Sequence, residues 1–278
     1  MTLTLAATPL GNPGDASPRL KEAIASAEVI AAEDSRRFHR LAADLGVTFT
    51  ARVISFFDGN ETARTEEVLA LLQSGKKVLV VSDAGMPTIS DPGFRLTRDA
   101  IALGIDVVVI PGPSAPTMAL ALSGLATDRF TFEGFLPRSS GARLAHLETL
   151  RFEERTMVLF EAPHRITESL KDAAQIFGSD RQAAICREMT KTYEETVRGS
   201  LQELILWSES KEILGEITVV LAGVPVGTAE KTADEIVARV REYESAGMDR
   251  KDAISTVAKE YELPKKVVYA AVVDASKS

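Results

Sequence analysis

The chain has 278 residues and a formal net charge of −8 at pH 7, and 45% of its residues are hydrophobic. This composition is typical of globular proteins, its length suits two domains or one domain with an appendage, and its acidic balance disfavours broad electrostatic binding of nucleic acid. The single cysteine, Cys186, excludes a disulfide framework, and three histidines without paired spacing give no zinc signature. Because no apolar run reaches membrane-spanning length, we expect a soluble, cytoplasmic protein that needs neither a metal nor a membrane.

Strand and helix patterns alternate through the first part of the chain. Strands are predicted at residues 3–7, 29–32, 53–57, 78–81 and 107–110. Helices are predicted at residues 18–27, 35–41, 61–72, 94–103 and 114–122, with Ser35 and Ser114 as candidate N-caps. This order predicts an α/β fold with a right-handed, parallel βαβ sheet that is covered on both faces.

The pattern changes near residues 123–126, and we place there a boundary between an α/β domain of residues 1–124 and a second one of residues 125–226. The second domain has predicted strands at residues 130–135, 156–160, 183–186, 192–197 and 216–221, and helices at 143–150, 166–177 and 201–207. Because neighbouring strands are closely spaced, this sheet is expected to be partly antiparallel. A tail of residues 229–278 holds three predicted helices, two of which resemble a helix-turn-helix.

Two turns rich in glycine and proline follow strong strands, VLVVSDAGMPTISDPG from residue 78 and VVVIPGPSAPTM from residue 107. Small residues at this point let the backbone approach a ligand closely, and two such turns at one sheet edge predict a small-molecule cleft. The first turn, TPLGNPGD from residue 8, does not match the dinucleotide fingerprint, and its prolines remove backbone N–H donors. A nicotinamide enzyme is therefore disfavoured.

Charged residues gather at three further strand ends, in the segments EDSRR (33–37), EAPHR (161–165) and REMTK (187–191). Acidic residues at a helix start are stabilised by the helix dipole, so a purely structural role is one interpretation of the first segment. Substrate binding at the working edge of the sheet is the other, and both remain open at this stage.

The segments TPLGNPGD, AEDSRR, SDAGMPTISDPG, IPGPSA, LSGL, FEGFLP, ERTMVLFEAPHR, REMTKTYEE and GEITVVL occur in this order. Together they resemble the tetrapyrrole-methylase superfamily over nearly all of residues 3–223, and within it the branch that methylates ribosomal RNA. Where that branch usually has threonine, this chain has Ser35, which keeps the hydroxyl, and Met86, which does not.

The resemblance implies a class III methyltransferase fold, with S-adenosylmethionine bound between the two domains and no metal. It also implies a homodimer, and a tail like the small helical segment of many members. Asp83 is expected to pair with the ammonium group of the cofactor. The cofactor-binding residues implied by motif are Leu10, Asp83, Gly85, Met86, Ser114, Ala115, Phe160 and Glu161.

The implied reaction is methylation of the ribose 2′-oxygen of a cytidine in the decoding centre of small-subunit (16S) ribosomal RNA, either as RNA alone or in the assembled subunit. Such a hydroxyl is a poor nucleophile until its proton leaves, so we expect Glu161 and Lys191, as a cleft pair, or His164 to act as base. The alternative is that positioning alone carries the reaction. The arginines expected to hold RNA phosphates are Arg36, Arg165 and Arg187.

Two other functions stay open at the level of the sequence. The same superfamily includes enzymes that methylate a tetrapyrrole or a protein side chain. The third hypothesis is a non-catalytic RNA-binding module that uses the tail. The acidic balance of the chain argues against it, because non-specific RNA affinity comes from lysine and arginine.

Overall fold

The structure, a computed structural model, describes residues 1–225, 233–261 and 263–275. These residues form two compact units, Met1–Arg151 with Arg155–Ala222 and Phe152–Glu154 with Gly223–Ser278. Most of both predicted α/β domains belongs to the first unit, but Phe152–Glu154 and the end of the second predicted domain from Gly223 belong to the second unit. The predicted boundary at residues 124 and 125 stays a prediction. The predicted end of the second domain at residue 226 and the predicted start of the tail at residue 229 lie outside the described residues.

The first sheet contains five parallel strands in the order β3-β2-β4-β1-β5, as the alternating pattern predicts. Its strands are β1 (Thr2–Ala6), β2 (Val29–Ala32), β3 (Arg52–Ser55), β4 (Val78–Val81) and β5 (Asp106–Ile110). The helices that follow them are α1 (Pro18–Ser26), α2 (Ser35–Asp44), α3 (Glu61–Gln73), α4 (Phe94–Ala102) and α5 (Ala115–Ser123).

Strand β4 shows why this sheet is covered on both sides. All four of its residues are buried, because side chains alternate between the faces and each face has its own core. Val78 and Val80 belong to one core cluster and Leu79 and Val81 to another. Parallel strands also end at the same edge, so the turns after β1, β2 and β4 come together there.

The second sheet is mixed, with the order β6-β7-β10-β8-β9. Strands β6 and β7 are parallel and the other neighbours are antiparallel, which confirms the expectation from strand spacing. Its strands are β6 (Phe130–Phe135), β7 (Thr156–Glu161), β8 (Gln182–Arg187), β9 (Glu195–Ser200) and β10 (Ile217–Leu221). Its helices are α6 (Ser140–Thr149), α7 (Ile166–Phe177) and α8 (Leu201–Glu209).

Two local predictions are corrected by the structure. The N-cap of α2 is Asp34 rather than Ser35, because Asp34 Oδ1 accepts hydrogen bonds from the backbone N–H groups of Arg36 at 2.8 Å and Arg37 at 3.3 Å. Strand β9 begins at Glu195 rather than at residue 192. Residues 192 and 193 lie in a turn instead, in which the backbone N–H of Glu194 donates to the carbonyl of Lys191 at 3.1 Å.

In its described residues, the second unit contains three helices, α9 (Ala233–Ser245), α10 (Arg250–Glu260) and α11 (Lys265–Ala275). Its core is apolar and includes Val240, Val257 and Val268, none of which exposes surface. The predicted turn between α10 and α11 includes residue 262, which lies outside the described residues. Within the part of the chain that the structure describes, no helix combines the length and the apolar character needed to cross a membrane.

Candidate active site: a cleft at the strand ends of both sheets

The cleft has a volume of about 330 Å³ and lies where the strand ends of the two sheets meet. Its size and its mixture of apolar and charged walls are typical of a small-molecule site. The first sheet and α5 contribute Leu10, Glu33, Arg37, Asp83, Asp91 and Ala115. The second sheet and its loops contribute Phe135, Phe160, Glu161, Met189, Gly215 and Glu216.

Backbone hydrogen bonds join the first turn of the chain to the turn after β4. The N–H of Thr8 donates to the carbonyl of Gly85 at 2.9 Å, and the N–H of Gly85 donates back at 3.1 Å. Gly85 has a φ of 82°, and a Cβ at this position would lie 3.2 Å from Leu10 Cδ2. Glycine is therefore required to keep this turn against the cleft-lining side chain of Leu10.

An acidic wall, formed by Glu33, Asp83 and Asp91, lines the cleft on the side of the first sheet. The backbone N–H of Asp83 donates to Glu33 Oε2 at 3.1 Å, which ties the ends of β2 and β4 together. Asp83 itself accepts from the N–H of Asp34 at 3.0 Å and pairs with Arg37 at 3.1 Å. The wall thus brings more negative charge to the cleft than Arg37 balances.

Burial raises the pKa of all three carboxyl groups of the acidic wall above their ordinary values. For Asp91 the pKa rises to about 7, because desolvation is reinforced by the negative charges of Glu33, Asp83 and Asp58. A side-chain hydrogen bond with Ser82 acts in the opposite direction. Such a cluster favours a cationic ligand, whose charge would relieve the repulsion.

The loop that carries Asp91 has an unusual backbone. Thr88 and Ser90 have φ values of 76° and 61°, which are uncommon for residues with a Cβ, and Gly93 has a φ of 123°. The end of the loop is held by Glu61, a buried side chain whose Oε1 accepts from the N–H of Gly93 at 3.0 Å and of Arg95 at 3.2 Å. Strained backbone that is held in place in this way is typical of functional loops.

The turn after β5 places Ala115 in the cleft wall, as the first residue of α5. Ser114 occupies the N-cap position that the sequence predicts, but its side chain makes no capping hydrogen bond. Met86 is half-buried beside Gly85 and lies in the turn itself.

On the opposite side, Glu161 ends β7 with a side chain that is 1% exposed. Its Oε1 accepts from the N–H of Ala162 at 2.7 Å and from the guanidinium of Arg165, and its Oε2 accepts from the hydroxyl of Ser169. Donors of the protein occupy both oxygens, so the Glu161 side chain is fixed by internal partners.

Lys191 lies in the loop between β8 and β9, and its Nζ binds Glu188 at 2.9 Å and Glu216 at 3.0 Å. The expected pair of Glu161 with Lys191 is therefore not formed. Burial alone would lower the pKa of Lys191, but the hydrogen bonds to the two carboxylates outweigh it and the pKa lies above its ordinary value. A protonated ammonium is not a base, which is the physical reason for correcting this prediction. We call Glu161 with Arg165, and Glu216 with Lys191 and Glu188, the paired wall.

Aromatic side chains close one end of the cleft. Phe160 packs against Phe132 and Phe135 with ring centroids 4.9 Å and 5.4 Å apart. A β-bulge between Phe132 and Gly134 turns the end of β6, and Phe135 remains 55% exposed.

The three arginines expected to bind RNA have different surroundings. Arg36 has a side chain that is 92% exposed, at the start of α2. Arg165 binds Glu161, and Arg187 pairs with Glu195 at 3.1 Å and donates to the carbonyl of Leu214, so both have internal partners. His164 is exposed on the short 3-10 turn after β7.

Several residues that line the cleft were not predicted from the sequence, among them Asp91, Phe135 and Glu216. Asp91 belongs to the glycine- and proline-rich turn after the predicted strand at residues 78–81, and this position was a signal for a place in the cleft. Glu216 reaches the cleft only because β10 is inserted antiparallel between β7 and β8, and strand spacing does not reveal that order.

The residues that line the cleft fit S-adenosylmethionine, which carries a sulfonium and an ammonium group. The acidic wall offers carboxylates to those cations, Ala115 and Gly85 leave space, and Phe160 offers an aromatic surface. Among the described residues, no group of three or more histidine, cysteine, aspartate or glutamate side chains is arranged to hold a metal ion.

Comparison with known proteins gives consistent results. A family model described as Tetrapyrrole (Corrin/Porphyrin) Methylases matches residues 2–205. A protein of Mycobacterium tuberculosis named ribosomal RNA small subunit methyltransferase I is 50% identical over 256 residues, which cover 92% of this chain and 88% of that protein. A protein of Synechocystis with the same name is 40% identical over 272 residues, or 96% of this chain and 95% of that protein.

Solved structures show the same fold. The uroporphyrin-III C-methyltransferase of Thermus thermophilus, in a complex with S-adenosyl homocysteine, has a TM-score of 0.56 and 15% sequence identity. The match covers 80% of this chain and 96% of that one.

Proposed function

This chain belongs to the tetrapyrrole (corrin/porphyrin) methylase family, and we propose that it transfers a methyl group from S-adenosylmethionine to the ribose 2′-oxygen of a cytidine in the decoding centre of small-subunit ribosomal RNA. The observation that carries this proposal is the likeness, along nearly the whole chain, to proteins named ribosomal RNA small subunit methyltransferase I. The site on the ribose and the nucleotide come from the motif resemblance.

The resemblance stated from the motifs is confirmed by the family model, and with it the predicted cofactor is confirmed at the level of the family, which consists of methylases. S-adenosylmethionine supplies an electrophilic methyl group. We assign Leu10, Asp83, Gly85, Ala115 and Phe160 to its site. Met86 and Ser114, in the same turns, and Glu161, which lines the cleft, remain candidates from the motif resemblance. Asp83 would hold its ammonium group, as the motif resemblance implies.

Helix α2 supports an RNA substrate. Arg36, Arg37 and Arg40 all expose most of their side chains, and Arg37 lies at the cleft itself. In a chain of net charge −8, this helix is a local basic surface beside the cleft, where guanidinium groups would contact RNA phosphates. Of the predicted arginines, we therefore assign Arg36 this role and treat Arg165 and Arg187 as weaker candidates.

An apolar surface supports the expected homodimer. Helix α4 packs against β5, which is an edge strand of the first sheet, and large apolar side chains are exposed on both elements. Exposed apolar side chains on two neighbouring elements favour an interface between chains. These side chains are Phe94, Ile101, Leu103, Val108 and Val109, with exposed fractions of 39–64%.

The substrate is tested by incubating the protein with S-adenosylmethionine labelled in its methyl group. Assembled small ribosomal subunits, the same RNA without protein, and a tetrapyrrole precursor serve as separate acceptors. Label in a cytidine ribose supports the proposal, and comparison of the first two acceptors identifies the true substrate. Label in the tetrapyrrole alone would favour the alternative within the family, and no label with RNA bound would favour a binding module. A cytoplasmic location belongs to the proposal because the acceptor is ribosomal.

The helical unit gives a separate test. If α9, α10 and α11 bind RNA, removing residues 229–278 will weaken binding of the RNA substrate and leave cofactor binding intact. Equal loss of both would show that the unit has a structural role.

A further inference from the structure

We propose that Asp91 is the general base that takes the proton of the acceptor ribose 2′-hydroxyl during methyl transfer. This inference rests on the proposed function and assigns a residue to a step for which the sequence suggested Glu161, Lys191 or His164. It is carried by the position of Asp91 in the cleft and by the partners of the other ionisable groups around it.

The other carboxylates of the cleft are already engaged. Glu161 accepts from Ala162, Arg165 and Ser169, and Glu216 is paired with Lys191. These carboxylates are therefore directed at groups of the protein itself, which leaves them poorly placed to contact a substrate hydroxyl.

Within the acidic wall, Asp83 accepts from the N–H of Asp34 and pairs with Arg37, while Glu33 accepts from the N–H of Asp83. Both groups join the ends of strands, and a proton on either would weaken these links. For Asp91, burial and the negative charges of Glu33, Asp83 and Asp58 favour protonation.

The groups that act on Asp91 come from three strand ends: Glu33 after β2, Asp58 after β3, and Asp83 after β4. Burial and these charges bring the pKa of Asp91 to about 7, where a base is half ionised near neutral pH and still binds a proton well. A hydrogen bond with Ser82 acts in the opposite direction and lowers the pKa of Asp91.

The backbone keeps Asp91 in this position. It lies between Ser90, at a φ of 61°, and the segment ending at Gly93, whose N–H is bound by the buried carboxylate of Glu61. A side chain on a loop held at both ends loses little entropy when a substrate meets it, which favours a catalytic group.

The proposed methyl transfer forms two bonds and breaks two. The ribose oxygen forms a bond to the methyl carbon while its O–H bond breaks and the proton passes to the carboxylate of Asp91. The electron pair of the broken carbon–sulfur bond stays on sulfur and neutralises the sulfonium, which leaves S-adenosylhomocysteine. The protonated Asp91 returns its proton to solvent after the product leaves.

The test compares Asp91→Asn with Asp180→Asn, which removes the same charge from an exposed residue just before β8 that does not line the cleft. Single-turnover methylation of small ribosomal subunits is measured at saturating S-adenosylmethionine. We expect the rate of Asp91→Asn to fall by about 100-fold or more, as for loss of a general base, and that of Asp180→Asn by less than about threefold. A fall of less than about tenfold for Asp91→Asn overturns the assignment.

A pH profile separates a base from a merely structural residue. The wild-type rate should rise with pH along a limb that Asp91→Asn lacks. Ser82→Ala removes a hydrogen bond that lowers the pKa of Asp91, so it should move the same limb to higher pH. An unchanged limb in both variants contradicts the proposal.

Calorimetry gives a readout that does not depend on turnover. Ionised Asp91 attracts a cation, so the affinity of the wild type for S-adenosylmethionine should rise as the pH rises from 6 to 8, and Asp91→Asn should flatten that rise. If the affinity of Asp91→Asn rises with pH as steeply as that of the wild type, the charge of Asp91 does not act on the bound cation and the assignment is wrong. If instead the wild type transfers no methyl group to subunits or their RNA, the proposed function fails, and the ribose step assigned to Asp91 fails with it.

Discussion

The two sides of the cleft treat their carboxylates in opposite ways. On the side of the first sheet, burial raises the pKa of Glu33, Asp83 and Asp91. On the side of the second sheet, Glu161 is bound by Arg165, and Glu216 is bound by Lys191. A carboxylate at a strand end therefore has no fixed role, since neighbouring cations decide whether it stabilises the fold or remains available to ligands and protons.

The largest expected effect concerns the paired wall. Glu161→Gln leaves Arg165 buried without a counter-charge, and breaking a buried ion pair in this way costs about 3–5 kcal/mol of unfolding free energy. Chemical denaturation measures the loss. The control Glu168→Gln changes an exposed carboxylate on α7 that is 3.4 Å from Lys171 and should alter stability by less than about 0.5 kcal/mol. Equal stability of the two variants would remove the distinction between the walls.

The next effect concerns ligand binding by the acidic wall. Asp83→Asn keeps the shape of the side chain and removes its charge, so S-adenosylmethionine should lose about 1.5–3 kcal/mol of binding free energy, or about 10–100-fold in affinity. The matched control is Asp44→Asn at the far end of α2, where the carboxylate is 3.9 Å from Arg40. Calorimetry that gives both variants wild-type affinity would remove Asp83 from the site.

A third prediction uses pH and unfolding. The pKa of Asp91 is raised from 3.8 to about 7 in the folded protein, so the folded state holds a proton that the unfolded chain has lost between these values. Wild-type stability therefore falls relative to Asp91→Asn as the pH rises from about 4 to about 7, and the difference is constant above that. Because the carboxyl is partly open to solvent, we expect a final difference on the order of 2 kcal/mol.

Thermal unfolding across this pH range checks the prediction. The difference between the wild type and the control Asp180→Asn, an exposed residue outside the cleft lining, should not grow with pH in this way. If the difference between the wild type and Asp91→Asn were the same at pH 4 and pH 8, the raised pKa would be wrong.

The smallest expected effect is a loss of stability in the paired wall. Lys191→Met keeps the aliphatic part of the side chain, which lies against Gly11, and leaves Glu188 and Glu216 without their ammonium partner. Because these groups are only partly buried, the expected cost is about 1 kcal/mol. Lys76→Met, which breaks an exposed pair with Glu28 at 2.8 Å, should cost less. A larger cost for Lys76→Met in denaturation experiments would contradict this ranking.

Much of the fold follows from the sequence because strands and turns leave direct signals. The run Val78–Val81 is apolar and β-branched or leucine, and the glycines and prolines after it mark the strand end, so the place of Asp83 at the cleft was predictable. The partly antiparallel second sheet followed from strand spacing. The order of its strands did not, because spacing carries no information on which strand is inserted between which.

The partners of charged side chains are the part that the sequence left undetermined. Glu161 and Lys191 both follow strands of one sheet, which suggested a pair, but three-dimensional neighbours gave each of them closer partners. The role expected of Ser35 went to Asp34 for a similar reason, since either side chain can cap a helix and a shift of one residue is invisible in the pattern.

Helix α5 follows the first sheet in the chain but packs against the second sheet. It follows β5 of the first sheet, yet Ala119 and Leu120 share a core cluster with Val158, Ala184 and Val220 of the second sheet. A cut after residue 124 would therefore remove the cover from one apolar face of the second half. Neither half of the cleft is a portable module, so gene fusion or recombination at that boundary can transfer this active site only when α5 travels with the sheet that it covers.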